Sequence, residues 1–208
     1  MPKVATPLKG LFKNMVGDYL RVVAKEGGQA AGREGGQAAG REASQAAVKA
    51  ADAPLPKAKR SRSTETGLAP NQHYSGGKTG KGKPRYEYVT DDKGRIRGAY
   101  GDLKLKPEGQ KRGSHNSKPA GKVTGDDAGH LFADRFDGAG GLDNIVAQAR
   151  ELNQGAWKNM EQDWADALNS GKKVEVFTEV HYGGGSRPTG FTVTYEIDGR
   201  RVIQTFDQ

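Results

Sequence analysis

The sequence predicts an α+β fold: an antiparallel sheet and one long helix in the C-terminal part, preceded by an N-terminal arm that is first helical and then unstructured. Three observations carry this. Leu, Ile, Val and Phe number only 34 of 208 residues, 15 of them in residues 1–120 and 19 in the shorter remainder, so apolar residues dense enough for a core lie late in the chain. Formal charge divides at the same place, +13 before it and −5 after it, within a net of +8. Strand-like alternation and helical periodicity are concentrated beyond Tyr86.

Composition excludes whole classes of protein. There is no cysteine, which removes disulfide scaffolds, zinc knuckles and thiol nucleophiles. No run approaches the ~18 apolar residues of a spanning helix, so membrane insertion is not expected. The opening Met1-Pro2-Lys3-Val4 lacks the basic region, apolar run and cleavage site of a secretion signal.

Residues 1–25 read as an amphipathic helix. Leu8, Leu11, Phe12, Met15, Val16, Tyr19, Leu20 and Val23 recur at helical spacing, with Lys9, Lys13 and Arg21 off the stripe. Such a stripe packs against a partner or another domain; the few cations give a membrane-surface role little support. Residues 26–85 read as a basic, flexible linker. It opens with an eight-residue repeat at 26–33, 34–41 and 42–49, whose glycines each cost ~1 kcal/mol in a helix interior. A Pro-, Gly-, Ser- and Lys-rich tract follows. Gly77 to Lys83 imitates a phosphate-binding loop, but Pro84 stands where the metal-binding hydroxyl belongs and no apolar strand precedes it.

Residues 86–208 read as the folded domain. Tyr86–Thr90 and Arg95–Leu105 flank the turn residues Asp91 to Gly94 and predict a β-hairpin. Leu142–Leu168 has helical period, with Gly155 as a possible break and Trp157 and Trp164 on its apolar stripe as core residues. Strands are expected over Lys173–Tyr182, Phe191–Ile197 and Arg201–Phe206, the last two joined by Asp198-Gly199.

Chemistry concentrates between these elements. In Asp126-Asp127-Ala128-Gly129-His130 an imidazole stands near carboxylates that could orient it. Asn144, Gln148, Asn153 and Glu161 spread oxygen donors along the predicted helix, and Asn153, Trp157 and Glu161 form an i, i+4, i+8 row. Oxygen donors without thiols suit a hard cation such as Mg²⁺. The plainer reading is a solvated helix face. His73 and His115 in polar linker, and His181 at a strand end, read as incidental.

Asp127-Ala128-Gly129-His130, then Asn144 to Gln148, then Leu152-Asn153 with Gly155, Trp157 and Glu161 together resemble the DNA/RNA non-specific endonucleases. These are ββα-metal nucleases with the motif D-R-G-H followed by an N-x-x-x-Q…L-N-x-G-x-W-x-x-L-E helix. The shape of the chain is most similar to the toxin domains at the C-termini of bacterial polymorphic toxins. The resemblance implies His130 as general base, with Asp127 beside it, and Asn153 as the protein ligand of Mg²⁺, with Mn²⁺ as alternative. It implies Glu161 as holder of a water of the metal's hydration sphere, and Asn144 and Gln148 as organisers of the site from the same helix. The motif arginine is replaced by Ala128, so Arg95, Arg97 and Arg135 are the candidates for phosphate binding.

The implied function is metal-dependent, non-specific cleavage of DNA or RNA by an antibacterial effector. It would be made in the bacterial cytoplasm, exported by a specialised secretion system and active in the target-cell cytoplasm. Its partners would be nucleic acid, a cognate immunity protein, and a secretion-system or chaperone component through residues 7–25. The alternative is a catalytically idle nucleic-acid-binding module whose basic arm supplies affinity.

Overall fold

In the C-terminal strands, period-two alternation sends side chains to opposite faces of one sheet. Tyr86, Tyr88, Ala99, Val176, Val180, Phe191, Val193 and Tyr195 gather on one face, and Val89, Tyr100 and Phe177 on the other. A computed structural model describes residues 6–15, 17, 67–76 and 86–208 of the chain. Its main sheet has six antiparallel strands in the order β1-β2-β3-β6-β7-β8. These are β1 His73–Gly76, β2 Tyr86–Thr90, β3 Ile96–Asp102, β6 Val174–Tyr182, β7 Pro188–Ile197 and β8 Arg200–Asp207. Both expected turns form. Asp91 accepts from the backbone N–H groups of Lys93 and Arg95 at 2.9 Å each. Asp198 and Gly199 take φ of 48° and 82°, the positive pair a two-residue hairpin loop requires.

A separate ribbon pairs β4, Asp126–His130, with β5, Ile145–Ala149. Helix α2, Arg150–Gln154, follows directly, and after Gly155 comes α3, Ala156–Asn169. Trp157, Met160 and Trp164 of α3 are buried against the first face of the sheet. Trp157 meets Phe191 edge-on at 5.1 Å and Trp164 meets Tyr195 likewise at 5.5 Å, so both tryptophans are core, as expected. The ribbon is tied to β7. Arg187 clasps Asp126 through two hydrogen bonds of 2.9 and 2.8 Å, and Gln208 bridges Ala147, Ala149 and Pro188.

Two expectations change. Leu142–Leu168 is not one helix: residues 145–149 are strand β5. Leu142, Ile145 and Val146 fit an i, i+3, i+4 spacing, but in so short a run an apolar cluster bounded by glycines serves a strand equally well. Within the stretch read as linker, His73–Gly76 forms β1 and pairs with β2; four residues are too few to show a period. The N-terminal stripe takes the second of its two expected destinations over its described length, the folded domain itself. Residues 8–15 are helical (α1), and Leu8, Phe12 and Met15 are buried on the second face of the sheet against Val89, Tyr100 and Phe177. The repeats and the loop-like tract at 77–83 lie outside the described residues, as does the rest of the expected helix except Gly17. Among the described residues no helix is long and apolar enough to cross a membrane.

Candidate active site

β4 and β5 pair with Asp127 opposite Gln148 and Gly129 opposite Val146. The buried Gln148 side chain crosses Gly129, where a β-carbon would stand 2.1 Å from its Oε1; only glycine admits this contact. Ala128 and His130, two residues apart, turn to the same face. They line a cleft of about 290 Å³ together with Asn153, Glu161, Arg112, Arg135 and Lys158.

Asn153 is oriented from behind. Its Nδ2 donates to Asp127 Oδ2 at 2.9 Å, Gln154 Nε2 donates to the same oxygen at 2.9 Å, and Arg150 Nε reaches Oδ1 at 3.1 Å. A carboxylate only accepts, so the amide nitrogen of Asn153 must face it, and Oδ1 has no hydrogen-bond partner among the described residues. The donors, Gln154 foremost and then Asn153, hold the Asp127 carboxyl below the usual carboxylate range. Gly155 separates α2 from α3 with φ −104° and ψ −108°, and a β-carbon there would lie 2.5 Å from the Glu151 carbonyl oxygen. That break sets the angle at which Asn153 and Glu161 share one cleft.

The two titrating groups are shifted in opposite senses. Burial raises Glu161 to about 7, against the lowering effects of the Trp157 indole N–H, which donates to it at 3.2 Å, and of Arg135. Burial, then the charges of His115 and Arg112, depress His130 to about 4, with Asp134 opposing. His130 is therefore a neutral imidazole, free to accept a proton, throughout the neutral range.

Four of the expected residues converge: His130, Asn153, Glu161 and Arg135. Others do not. Asp127 does not orient His130, because residues three apart on a strand point away from each other; it holds Asn153 instead. Asn144 and Gln148 lie at and on β5, not on the helix. The Asn144 amide is committed to backbone, donating to Phe132 and Ala139 carbonyls at 2.9 and 2.7 Å and accepting from Phe132 N–H at 2.9 Å. It staples the segment that follows His130. Arg95 pairs with Asp91 at 2.6 Å, donates to the Gly185 carbonyl at 2.7 Å and stacks 4.4 Å above Tyr182. Arg97 is exposed on β3, and neither of these two arginines lines the cleft.

The sequence reading missed Arg112, Lys158 and His115. The His115 ring lies beside that of His130, 5.5 Å away. Its only signal was basic residues recurring in a polar loop. His73 is buried, 3.6 Å from Glu87, and His181 meets Thr192 at 2.8 Å. Among the described residues no cluster of three or more His, Asp or Glu could cage a metal.

An antiparallel ribbon that delivers a histidine, followed by a helical segment, here broken into α2 and α3, that brings an asparagine and a glutamate to the same cleft, defines the ββα class of nucleases. The chain belongs to the DNA/RNA non-specific endonuclease family, whose model matches residues 70–199. It is 43% identical over 127 residues to the type VII secretion system protein EssD of Staphylococcus aureus, covering 56% of this chain and 20% of that protein. It is 31% identical over 79 residues to the probable deoxyribonuclease RhsA of Dickeya dadantii, covering 38% of this chain and 6% of that protein. The chain thus spans a fifth or less of the length of these curated relatives. Among solved structures, magnesium-bound NucA from Streptococcus agalactiae aligns with a TM-score of 0.49 at 19% identity, over 62% of this chain and 70% of that one.

Proposed function

We propose that the protein is a divalent-metal-dependent endonuclease that hydrolyses phosphodiester bonds of DNA, with RNA as a second substrate, and that it serves as an exported antibacterial toxin. The observation that carries the chemistry is the convergence of His130, Asn153 and Glu161 on one cleft, with the Asn153 amide held in a single orientation by Asp127. The toxin reading is supported by the similarity to a secretion-system protein and to a probable deoxyribonuclease. It brings with it a cognate immunity protein as partner.

The donor set fits a hard, well-hydrated cation. One uncommitted amide oxygen and one carboxylate, with no nitrogen or sulfur cage among the described residues, match Mg²⁺, which keeps most of its waters. Asn153 would hold the ion and Glu161 would anchor its hydration. When bound, it supplies neutralisation of charge at the scissile phosphate. The protein's own residues do the rest. Neutral His130 accepts the proton of the attacking water, Asp127 fixes Asn153, and Arg112, Arg135 and Lys158 give the cleft the positive wall a polyanion requires.

Plasmid incubated with the protein and Mg²⁺ is expected to be nicked and degraded. Chelator is expected to abolish this, and His130→Ala to slow it by about 10²–10⁴-fold. Near-parental cleavage by a folded His130→Ala protein would remove the base from this account. The replacement of the motif arginine by Ala128 favours the second reading, an idle binding module, which predicts retention of plasmid without cleavage at any metal concentration.

A further inference from the structure

A phosphodiester under in-line attack gathers negative charge on its non-bridging oxygens, and a cation must meet it there. Ala128 stands on the face of β4 that His130 occupies and offers only a methyl group to the cleft. We propose that Arg112, carried by the loop between β3 and β4, is the catalytic cation of this site and occupies the phosphate-facing space that Ala128 leaves open. This rests on the endonuclease reading above and assigns a residue to it.

The cations of the cleft differ in their commitments. Arg135 Nη1 is hydrogen-bonded to Gln162 Oε1 at 2.8 Å, and its charge acts on Glu161. Arg112 makes no hydrogen bond or ion pair with any described residue, yet it lines the cleft and its field reaches His130. Lys158 is equally unpartnered, but a point-like ammonium lacks the planar fork with which a guanidinium meets two phosphate oxygens at once.

The loop that presents Arg112 is held on both sides of it. Gln110 Nε2 donates to Asp137 Oδ1 at 2.9 Å, and the Gly113 N–H donates to Asp134 Oδ1 at 3.3 Å. Lys106 Nζ lies 2.6 Å from the other Asp134 oxygen, and Asn116 N–H donates to the Gly140 carbonyl at 2.8 Å. Gly140 itself leaves no room for a side chain, since a β-carbon there would be 2.1 Å from the Ser114 carbonyl oxygen. The segment just after His130 thus grips the loop that brings the arginine back to it. Asp134 is in this respect a positioning residue.

The test is steady-state cleavage of a labelled duplex by the full chain and its variants at saturating Mg²⁺. Thermal melts check the fold, which an exposed residue such as Arg112 should leave intact. Arg112→Ala is expected to lower kcat on the order of 10²–10³-fold, the cost of removing one such donor, with KM changed far less. Arg112→Lys should recover part of the loss, and Arg135→Ala should cost less than Arg112→Ala. Adding Ala128→Arg to Arg112→Ala should restore at least about tenfold, because it returns a guanidinium to the same space. A kcat for Arg112→Ala within threefold of the parent overturns the proposal, as does a loss confined to KM. A loss that Ala128→Arg leaves untouched overturns the shared placement. If the parent and His130→Ala are equally inactive, the endonuclease reading itself fails. If the parent cuts, His130→Ala does not and Arg112→Ala does, only the arginine assignment fails.

Discussion

Asn153 presents its oxygen because Asp127 takes its nitrogen, and this division of donors decides what each substitution does. Asp127→Ala leaves the amide free to turn over while removing nothing from the cleft wall. The Mg²⁺ concentration for half-maximal activity is therefore expected to rise about 10–100-fold, the usual cost of losing a residue that orients a ligand. Metal titrations of variant and parent that overlay would mean that Asp127 holds only the helix. Glu161 and His130 make a second prediction at this scale. The Glu161 carboxyl titrates at about 7, so its charge is present above that value and is lost as pH falls through it. Half-maximal Mg²⁺ should accordingly rise between pH 8 and pH 6, and Glu161→Gln should flatten that dependence. His130, held at about 4, stays neutral over the same interval, so kcat at saturating metal should hold level until the pH approaches 4. A kcat that falls through pH 6 to 7 despite saturating Mg²⁺ would sink the depressed imidazole.

The ββα unit shows what was legible at the level of elements and what was not. Gly155 was visible as a break because that is a property of local spacing, but the Asn153, Trp157, Glu161 row is not one helix face, since the break places Asn153 on α2 and the other two on α3. The ribbon was not legible. Asp126–His130 contains two aspartates and a glycine, poor strand formers, and it is a strand because Ile145–Ala149 pairs with it and Arg187 seals its first residue. Those partners lie some 20 and 60 positions away, beyond any periodicity. The seal is testable through pH. Arg187 is the main cause that holds the nearly buried Asp126 carboxyl below its ordinary value. A depressed carboxyl contributes stability above its unfolded value, near 3.9, and loses it as pH falls through the folded value. Arg187→Ala should cost about 2 kcal/mol at pH 7, within the ~1.5–3 kcal/mol typical of charge-assisted hydrogen bonds. At pH 3, already below the unfolded value, the deficit should be smaller. Urea denaturation at both values reads it, and an equal deficit at each would show that Arg187 stabilises by packing alone.

At the scale of the whole molecule, the sheet is covered twice, by α3 on the face nearest the cleft and by α1 on the other. The amphipathic stripe at the N-terminus was legible, but its destination was not. A helical period announces that a face must be buried without saying against what. Phe12 decides the matter. Its ring is fully buried, 5.8 Å from Tyr100 in a stacked arrangement and 6.2 Å from Phe177 edge-on. Removing a buried phenyl costs ~3–5 kcal/mol in a core that cannot rearrange. Phe12→Ala should therefore destabilise the full chain by about 3 kcal/mol. Since α1 lies across the sheet from α3, kcat and the Mg²⁺ titration should stay within twofold of the parent. Unchanged stability would mean that α1 does not pack here in solution, leaving its stripe free for a partner. A fall in kcat in step with stability would mean that the second face of the sheet helps to hold His130 and Asn153 in place, and that the cleft depends on a helix more than a hundred residues upstream.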